Sequence, residues 1–511
     1  MLFNSYLFIF IFFPLCLAGY YAFLAREKRT AAKLWLILFS FWFYGYFNLS
    51  YLLIMIGSIL VNYGIHRGMI SCKRGKRHLG KRADLTKCLE IFGVVLNLSV
   101  LFYFKYTDFF LQNVNALFRK ELPLLGIVLP LGISFFTFQQ IGFLIDTYRG
   151  EPGEVHPVDY ALFVAFFPQL IAGPIVSHDE MLVQFRTLGK ETFDWERIFR
   201  GFWLFLLGLS KKVLIADNLG KAVDHGYMNL GSMGGLDAFL IMIWYALQLY
   251  FDFSGYCDMA RGLGQMMGIE IPVNFDSPYQ TTNIVGFWKK WHITLNRFFT
   301  KYVYVPLGGN RRGELRTYRN LLIVFFLSGL WHGAGWNYIL WGMLHGILYV
   351  IVRFLQKHKK ERPERAEIAG LGKIAKGMGK AIFTALNFLY ISMAWVYFRA
   401  ANVAQANELL GRILKGSWRK VDYNLAGALK PDEFWYVLKL LHLTGFYPQS
   451  QYILMTLITL ALIPIVFAGK NAAYLSKRVK AGAVSMITAV ILLTWCVLSL
   501  SQVSTFLYFN F

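Results

Sequence analysis

The stretch "LSGLWHGAGWNYILWGMLHG", residues 327–346, is apolar enough for a bilayer yet carries His332, His345 and five glycines. An imidazole takes up and returns a proton near neutral pH, which suits it to general base catalysis. An ionisable side chain inside a membrane segment is a functional candidate by default. His332 stands beside Gly333 and Gly335, where a regular helix is hard to maintain. His345 lies within an uninterrupted apolar run, so a packed core histidine is the simpler reading there. Ser328, four residues before His332, raises a Ser–His nucleophile pair. A serine in that place more often bonds the carbonyl four residues earlier.

A third histidine, His292, lies upstream in "FDSPYQTTNIVGFWKKWHITLNRFFTKYVYVPLGGNRRG", residues 275–313. Phe287, Trp288, Trp291, Leu295, Phe298 and Phe299 recur near helical spacing, interrupted by Lys289, Lys290 and Arg297. That pattern reads as an amphipathic helix lying at a membrane interface. The "PLGGNRR" that follows offers glycines and arginines for cradling phosphates, or simply a basic turn. The five cysteines (Cys16, Cys72, Cys88, Cys257 and Cys496) are scattered, with no C-x-x-C pair, and suggest neither a metal site nor a disulfide scaffold.

These residues must be positioned by membrane helices. Of 511 residues, 56% are hydrophobic and 16% charged, against about 25% charged in soluble domains. No linker, repeat or low-complexity segment divides the chain, so residues 1–511 are read as one membrane domain. The net charge of +23 sits in short basic blocks between apolar spans. It argues against a nucleic-acid binder and for cytoplasmic loops enriched in Lys and Arg.

Spans are expected near residues 6–24, 32–47, 51–65, 88–104, 124–145, 160–175, 202–215, 236–253, 321–332, 336–352, 381–397, 452–467 and 483–500. The first has no basic residue before it and Arg26, Lys28, Arg29 and Lys33 after it, which puts the N-terminus outside. It lacks the basic n-region and cleavage site of a secretory signal. Blocks at 67–82, 311–319, 353–380 and 470–480 fall on the cytoplasmic side, and the chain end "SQVSTFLYFNF" outside. Five crossings between Cys88 and Phe253 would place Arg311 outside, so that region holds a miscount, and some segments must be re-entrant, steeply packed in protein or wrongly bounded. Residues 400–451 form the longest external segment, a surface for an extracytoplasmic partner. His332 comes 13 residues after Arg319, roughly 20 Å into a ~30 Å core. Irregular backbone at that depth must be buried in protein or line a cavity, which makes His332 either a pocket residue or a core histidine bridging two helices, the pocket being the favoured reading.

"FDFSGYCDMARGLGQMMGI", the 275–313 stretch and "FLSGLWHGAGWNYILWGMLHG" together resemble the membrane-bound O-acyltransferase family. They are similar to its bacterial branch of alginate O-acetylation and D-alanyl-lipoteichoic acid transfer proteins. "MLFNSYLFIFIFFPL", "FFPQLIAGPI" and the terminal "FLYFNF" look like the alginate side of that branch. The likeness is densest from about Phe251 to Arg353.

The resemblance implies an all-α, polytopic helical bundle of roughly 10–14 membrane helices, some short or re-entrant, with a tunnel through the protein. It implies an acyltransferase whose near-invariant histidine matches His332 and whose second polar position matches His292. An acyl thioester, acetyl-CoA or a carrier-bound group, would be presented from the cytoplasm, with no permanently bound cofactor and no metal. His332 would deprotonate the acceptor hydroxyl. His292 would orient the thioester or stabilise its oxyanion. The implied setting is a bacterial cytoplasmic membrane, with an exported or cell-wall polysaccharide as acceptor. The implied partners are membrane lipid and an extracytoplasmic esterase-like protein. The runner-up is D-alanyl transfer to teichoic acid. The rivals from other classes are a proton-coupled transporter, which would need paired broken helices where the sequence shows one clear interruption, and a scaffold for polymer export.

Overall fold

Apolar runs of bilayer length fold as helices because lipid offers no partner for an unpaired backbone N–H or C=O. A computed structural model describes all residues except 75–78, 190–192, 359–370, 432, 502–505 and 508–511. The described residues form helices and connecting turns, without a strand. Among the described residues, six helices are long and apolar enough to cross a membrane: Leu49–Arg74, Leu85–Phe118, Gly235–Met266, Trp336–Lys357, Gly377–Arg399 and Gln449–Phe467. Phe8–Leu24 and Ala483–Leu498 are shorter apolar helices. The expected polytopic all-α architecture is what the chain adopts. The Lys76–Arg77 pair, residues 359–370 and the last four residues, all used in the topology argument, lie outside the described residues.

The centre is helix Gly235–Met266, buried along 78% of its apolar window. It packs on helix Trp195–Ser210 through two pairs of glycines. A Cβ on Gly262 would stand 2.6 Å from the Gly201 carbonyl oxygen, and one on Gly208 would stand 2.6 Å from that of Gly255. The backbones touch at both levels, the small-residue packing favoured where lipid supplies no hydrophobic drive between helices. A π-helical turn, Lys211–Ala216, follows. It sends Lys212 to Asp252 at 2.7 Å and Asp217 at 2.8 Å, and Lys211 to Asp258 at 2.6 Å. Near the chain end, the Phe506 ring lies 4.6 Å from Lys212 Nζ and 4.8 Å from the Tyr256 ring, and Leu507 N donates to Asp252 Oδ2 at 3.0 Å.

Two expected spans are corrected. Residues 124–132 are not helical, and the helix there is Ile133–Arg149. Residues 160–175 do not form one span. The chain breaks at Phe166 into Pro157–Ala165 and Phe167–Leu170, because Pro168 cannot donate to the preceding turn. Every residue from Leu162 to Val176 is buried in protein. The segment enters beside Glu154, which pairs with Arg67 and Arg74. It leaves into helix His178–Thr187, whose Arg186 donates to the Glu154 carbonyl at 3.5 Å. Both ends therefore share one face, and the segment is re-entrant.

Candidate active site

Helices Glu314–His332 and Trp336–Lys357 form a tight hairpin. Its open end is tied by Lys357 to Glu314 at 2.8 Å, so both ends emerge on the basic face. Gly329 and Gly342 let the helices touch: a Cβ there would come within 2.5 Å of the Tyr338 carbonyl oxygen and 2.4 Å of that of Phe325, respectively. The turn is opened by Gly333 and Gly335, both in extended backbone. Room, not handedness, demands glycine at 333, since a Cβ would lie 2.2 Å from the Tyr338 ring. Asn337 fastens the turn to the end of helix Leu371–Arg399, donating to the carbonyls of Tyr397 at 3.1 Å and Ala400 at 2.9 Å.

His332 closes the first helix and is 2% exposed. Its Nδ1 bonds the Ser328 carbonyl oxygen at 2.7 Å. A carbonyl only accepts, so Nδ1 carries the proton and Nε2 holds the lone pair of the neutral ring. The contact is to the main chain and not to the Ser328 hydroxyl, which leaves the Ser–His nucleophile pair without geometric support. The rings of Trp331 and Trp341 stand 4.9 Å from the imidazole and Phe398 5.4 Å.

His292 does not sit on a surface helix. The segment breaks into Ile284–Trp288 and Ile293–Phe299, with His292 between them at φ +45°, a left-handed conformation disfavoured by its Cβ. Phe287, Trp288, Trp291, Leu295 and Phe299 are buried inside the bundle, which corrects the expected interfacial helix. Periodicity marked the apolar residues, but surrounding helices cover them instead of lipid. Two backbone bonds of 3.0 Å, Ile293 N to Asn274 O and Asp276 N to Lys290 O, hold the turn. Its basic residues reach outward, Arg297 to Glu180 at 2.6 Å and Lys290 to Asp276 at 3.0 Å.

The consequence is that His292, wholly buried, stands edge-to-face with His332 at 6.4 Å between ring centroids. Forty residues of sequence separate two imidazoles that pack into one buried aromatic cluster with Trp331 and Phe253. His345 lies behind Trp341, whose ring is 5.2 Å from it, and packs against Trp288 and Trp395. Neither of its ring nitrogens has a hydrogen-bond partner among the described residues. His345→Phe, which keeps the packing and removes two unsatisfied polar atoms, is expected to retain most activity. His292→Ala is expected to lose at least ~10-fold. Acyl transfer normalised to membrane protein checks both, and the reverse ranking would reassign the cluster.

The "PLGGNRR" turn is not a phosphate cradle. The N–H groups of Leu307, Gly308, Gly309 and Arg311 are spent on carbonyls of the turn itself. Asn320 clasps the carbonyls of Leu307 and Gly309.

Three features escaped the sequence reading. Lys105 Nζ donates to the Trp331 carbonyl at 2.5 Å and Tyr106 OH to that of Leu330 at 2.8 Å, capping the helix that ends at His332. A lone lysine in "VLFYFKYTDFF" was the available signal. Asp146, buried, gathers His178 at 3.0 Å, Lys301 at 2.8 Å and Tyr302 at 2.5 Å. His178, Lys301 and Tyr302 help line a cavity of about 130 Å³ that runs from Glu180 and Arg297 on the basic face to Thr294. Thr294 is hydrogen-bonded to Asn274, which also bonds His292. Nothing in the local pattern singles out Asn274.

The family model described as MBOAT, membrane-bound O-acyltransferase family, matches residues 144–398, which include His292, His332 and Asn274. A peptidoglycan O-acetyltransferase of Helicobacter pylori is 39% identical, covering 100% of this chain and 98% of its own length. The chain belongs to the membrane-bound O-acyltransferase family. Membership makes the protein an acyltransferase, and His332 and His292 stand on the matched segment of that family. A probable alginate O-acetylase of Pseudomonas putida is 37% identical, over 83% of each chain. A teichoic acid D-alanyltransferase of Streptococcus thermophilus is 28% identical, over 51% of this chain and 66% of its own.

Proposed function

We propose that the protein transfers an acetyl group from a cytoplasmic thioester to an extracytoplasmic polysaccharide, with His332 as the general base. The observation that carries the reading is the Nδ1 bond from His332 to the Ser328 carbonyl, which places the proton of the neutral ring on Nδ1 and its lone pair on Nε2 within a buried aromatic cluster. The donor thioester, on CoA or a carrier protein, enters from the basic face through the cavity beside Lys301 and Arg297. At this cluster the acceptor hydroxyl gives its proton to His332 Nε2 as its oxygen bonds the acetyl carbon. The C–S bond then breaks, and the sulfur leaves as thiol with the proton returned by His332. His292 orients the reactants. Aromatic walls keep water from the thioester.

The protein resides in a bacterial cytoplasmic membrane with both termini outside, and residues 400–451 meet an extracytoplasmic esterase-like partner that completes delivery. The full-length match to a peptidoglycan O-acetyltransferase supports a cell-wall glycan as acceptor. The match to D-alanyltransferases covers only about half of the chain. The test is deletion of the gene, with ester-linked acetate released from purified glycan by mild base. Acetate ester is expected to disappear and to return with the wild-type gene. Loss of D-alanyl ester instead would redirect the reading to the teichoic acid reaction, and no change in either would overturn it.

A further inference from the structure

His292 Nδ1 meets Asn274 Oδ1 at 3.2 Å in a fully buried site. Which nitrogen of His292 holds its proton depends on which way the Asn274 amide points, and two backbone groups decide that. Thr294 N donates to Asn274 Oδ1 at 3.1 Å, and an N–H only donates, so the oxygen must face it. Ile175 N donates to Thr294 Oγ1 at 2.9 Å, which turns the Thr294 hydroxyl proton onto the same Oδ1 at 2.9 Å. The Asn274 Nδ2 is turned away to Cys257 Sγ at 3.4 Å. With the amide oxygen locked toward His292, Nδ1 must be the protonated nitrogen.

We propose that Asn274 is a positioning residue that holds His292 as the Nδ1-protonated tautomer and so makes its Nε2 an acceptor. The proposal rests on the reading of this cluster as the acyl-transfer site, and it changes the role of His292 there. A neutral His292 in this tautomer has no N–H to offer the thioester oxyanion. It accepts a hydrogen bond from another N–H or O–H of the bound reactants and so orients them, while the single proton of the attacking hydroxyl passes to His332. Asn274 itself touches neither reactant. The relay links the re-entrant segment 157–177, through Ile175, to the histidine turn, so three separate stretches of chain determine one proton position.

The experiment compares wild type with Asn274→Leu, Asn274→Asp and His292→Ala in lipid membranes. It reads kcat and KM for a short-chain acetyl thioester, and the ¹⁵N spectrum of histidine-labelled protein, with the His292 signals identified by their absence in His292→Ala. Wild type is expected to show His292 protonated on Nδ1. Asn274→Leu should lose that signal pattern and at least ~10-fold in kcat with the donor KM unchanged, a modest part of what a wrong tautomer costs a catalytic histidine. Asn274→Asp keeps an acceptor facing Thr294 N and should restore the Nδ1-protonated signal. A wild-type His292 protonated on Nε2, or a Leu variant with unaltered signal and kcat, would overturn the proposal. If Asn274→Leu does not accumulate, the wild-type and Asp spectra still decide. Full kcat in His292→Ala would instead overturn the assignment of His292 to the reaction.

Discussion

His332→Ala is expected to lower O-acetylation at least ~100-fold, the lower end of what a positioned general base contributes, at near-normal membrane abundance. The imidazole bonds a main-chain carbonyl in its own helix and packs among Trp331, Trp341 and Phe398. Losing that bond leaves a carbonyl of the last helical turn unmet by a side chain. Lys105 and Tyr106 still cap the carbonyls of Trp331 and Leu330. The helix end is therefore held from a different helix, and the hairpin should survive. His332→Gln should fail equally, because an amide can bond the same carbonyl but cannot take a proton at neutral pH. The measurement is ester-linked acetate on the glycan, divided by protein in the membrane. Substantial ester in both variants would reduce His332 to a core residue.

Lys212→Met should strip the membrane of folded protein. Lys212 and Asp252 are each 2% exposed, with Asp217 completing the cluster. Removing the cation leaves two carboxylates facing each other in an apolar interior, and breaking such a buried pair costs about 3–5 kcal/mol, a large share of a typical stability of about 5–15 kcal/mol. Asp252→Asn added to Lys212→Met removes the more deeply buried charge while keeping an acceptor for Leu507 N. The double variant should recover much of the lost protein. Fluorescence-detected size exclusion of detergent extracts, with thermal midpoints, ranks the three proteins. Equal abundance of wild type and Lys212→Met would mean that the cluster is dispensable for folding. The rescue separates a charge penalty from lost packing, since both variants lack the lysine.

The membrane character, most helices and the helix break at His332 are legible along the chain because each depends on neighbours in sequence. A bilayer rewards any apolar run of sufficient length, basic loops mark one side, and glycines after a buried histidine announce a broken helix. Where the same local rule was applied to residues 160–175 and 287–299 it misled, for one reason. An apolar periodic segment can be covered by lipid or by other helices, and only the packed bundle decides which. Both stretches are broken helices packed inside the bundle, and they carry Ile175, His292 and Thr294 into the interior.

Tertiary structure alone brings His292 to 6.4 Å from His332, because their approach depends on how the turn that carries His292 docks against the hairpin that carries His332. It also sets the proton positions. The Ser328 carbonyl acts within one helical turn and is nearly local, whereas Asn274 and Ile175 act on His292 from 18 residues away and through Thr294 from 119. Hydrogen-bond direction belongs to fixed donors and acceptors in space. Residue types along the chain therefore named the histidines, and the packing of distant backbone groups around them determined what each nitrogen can do.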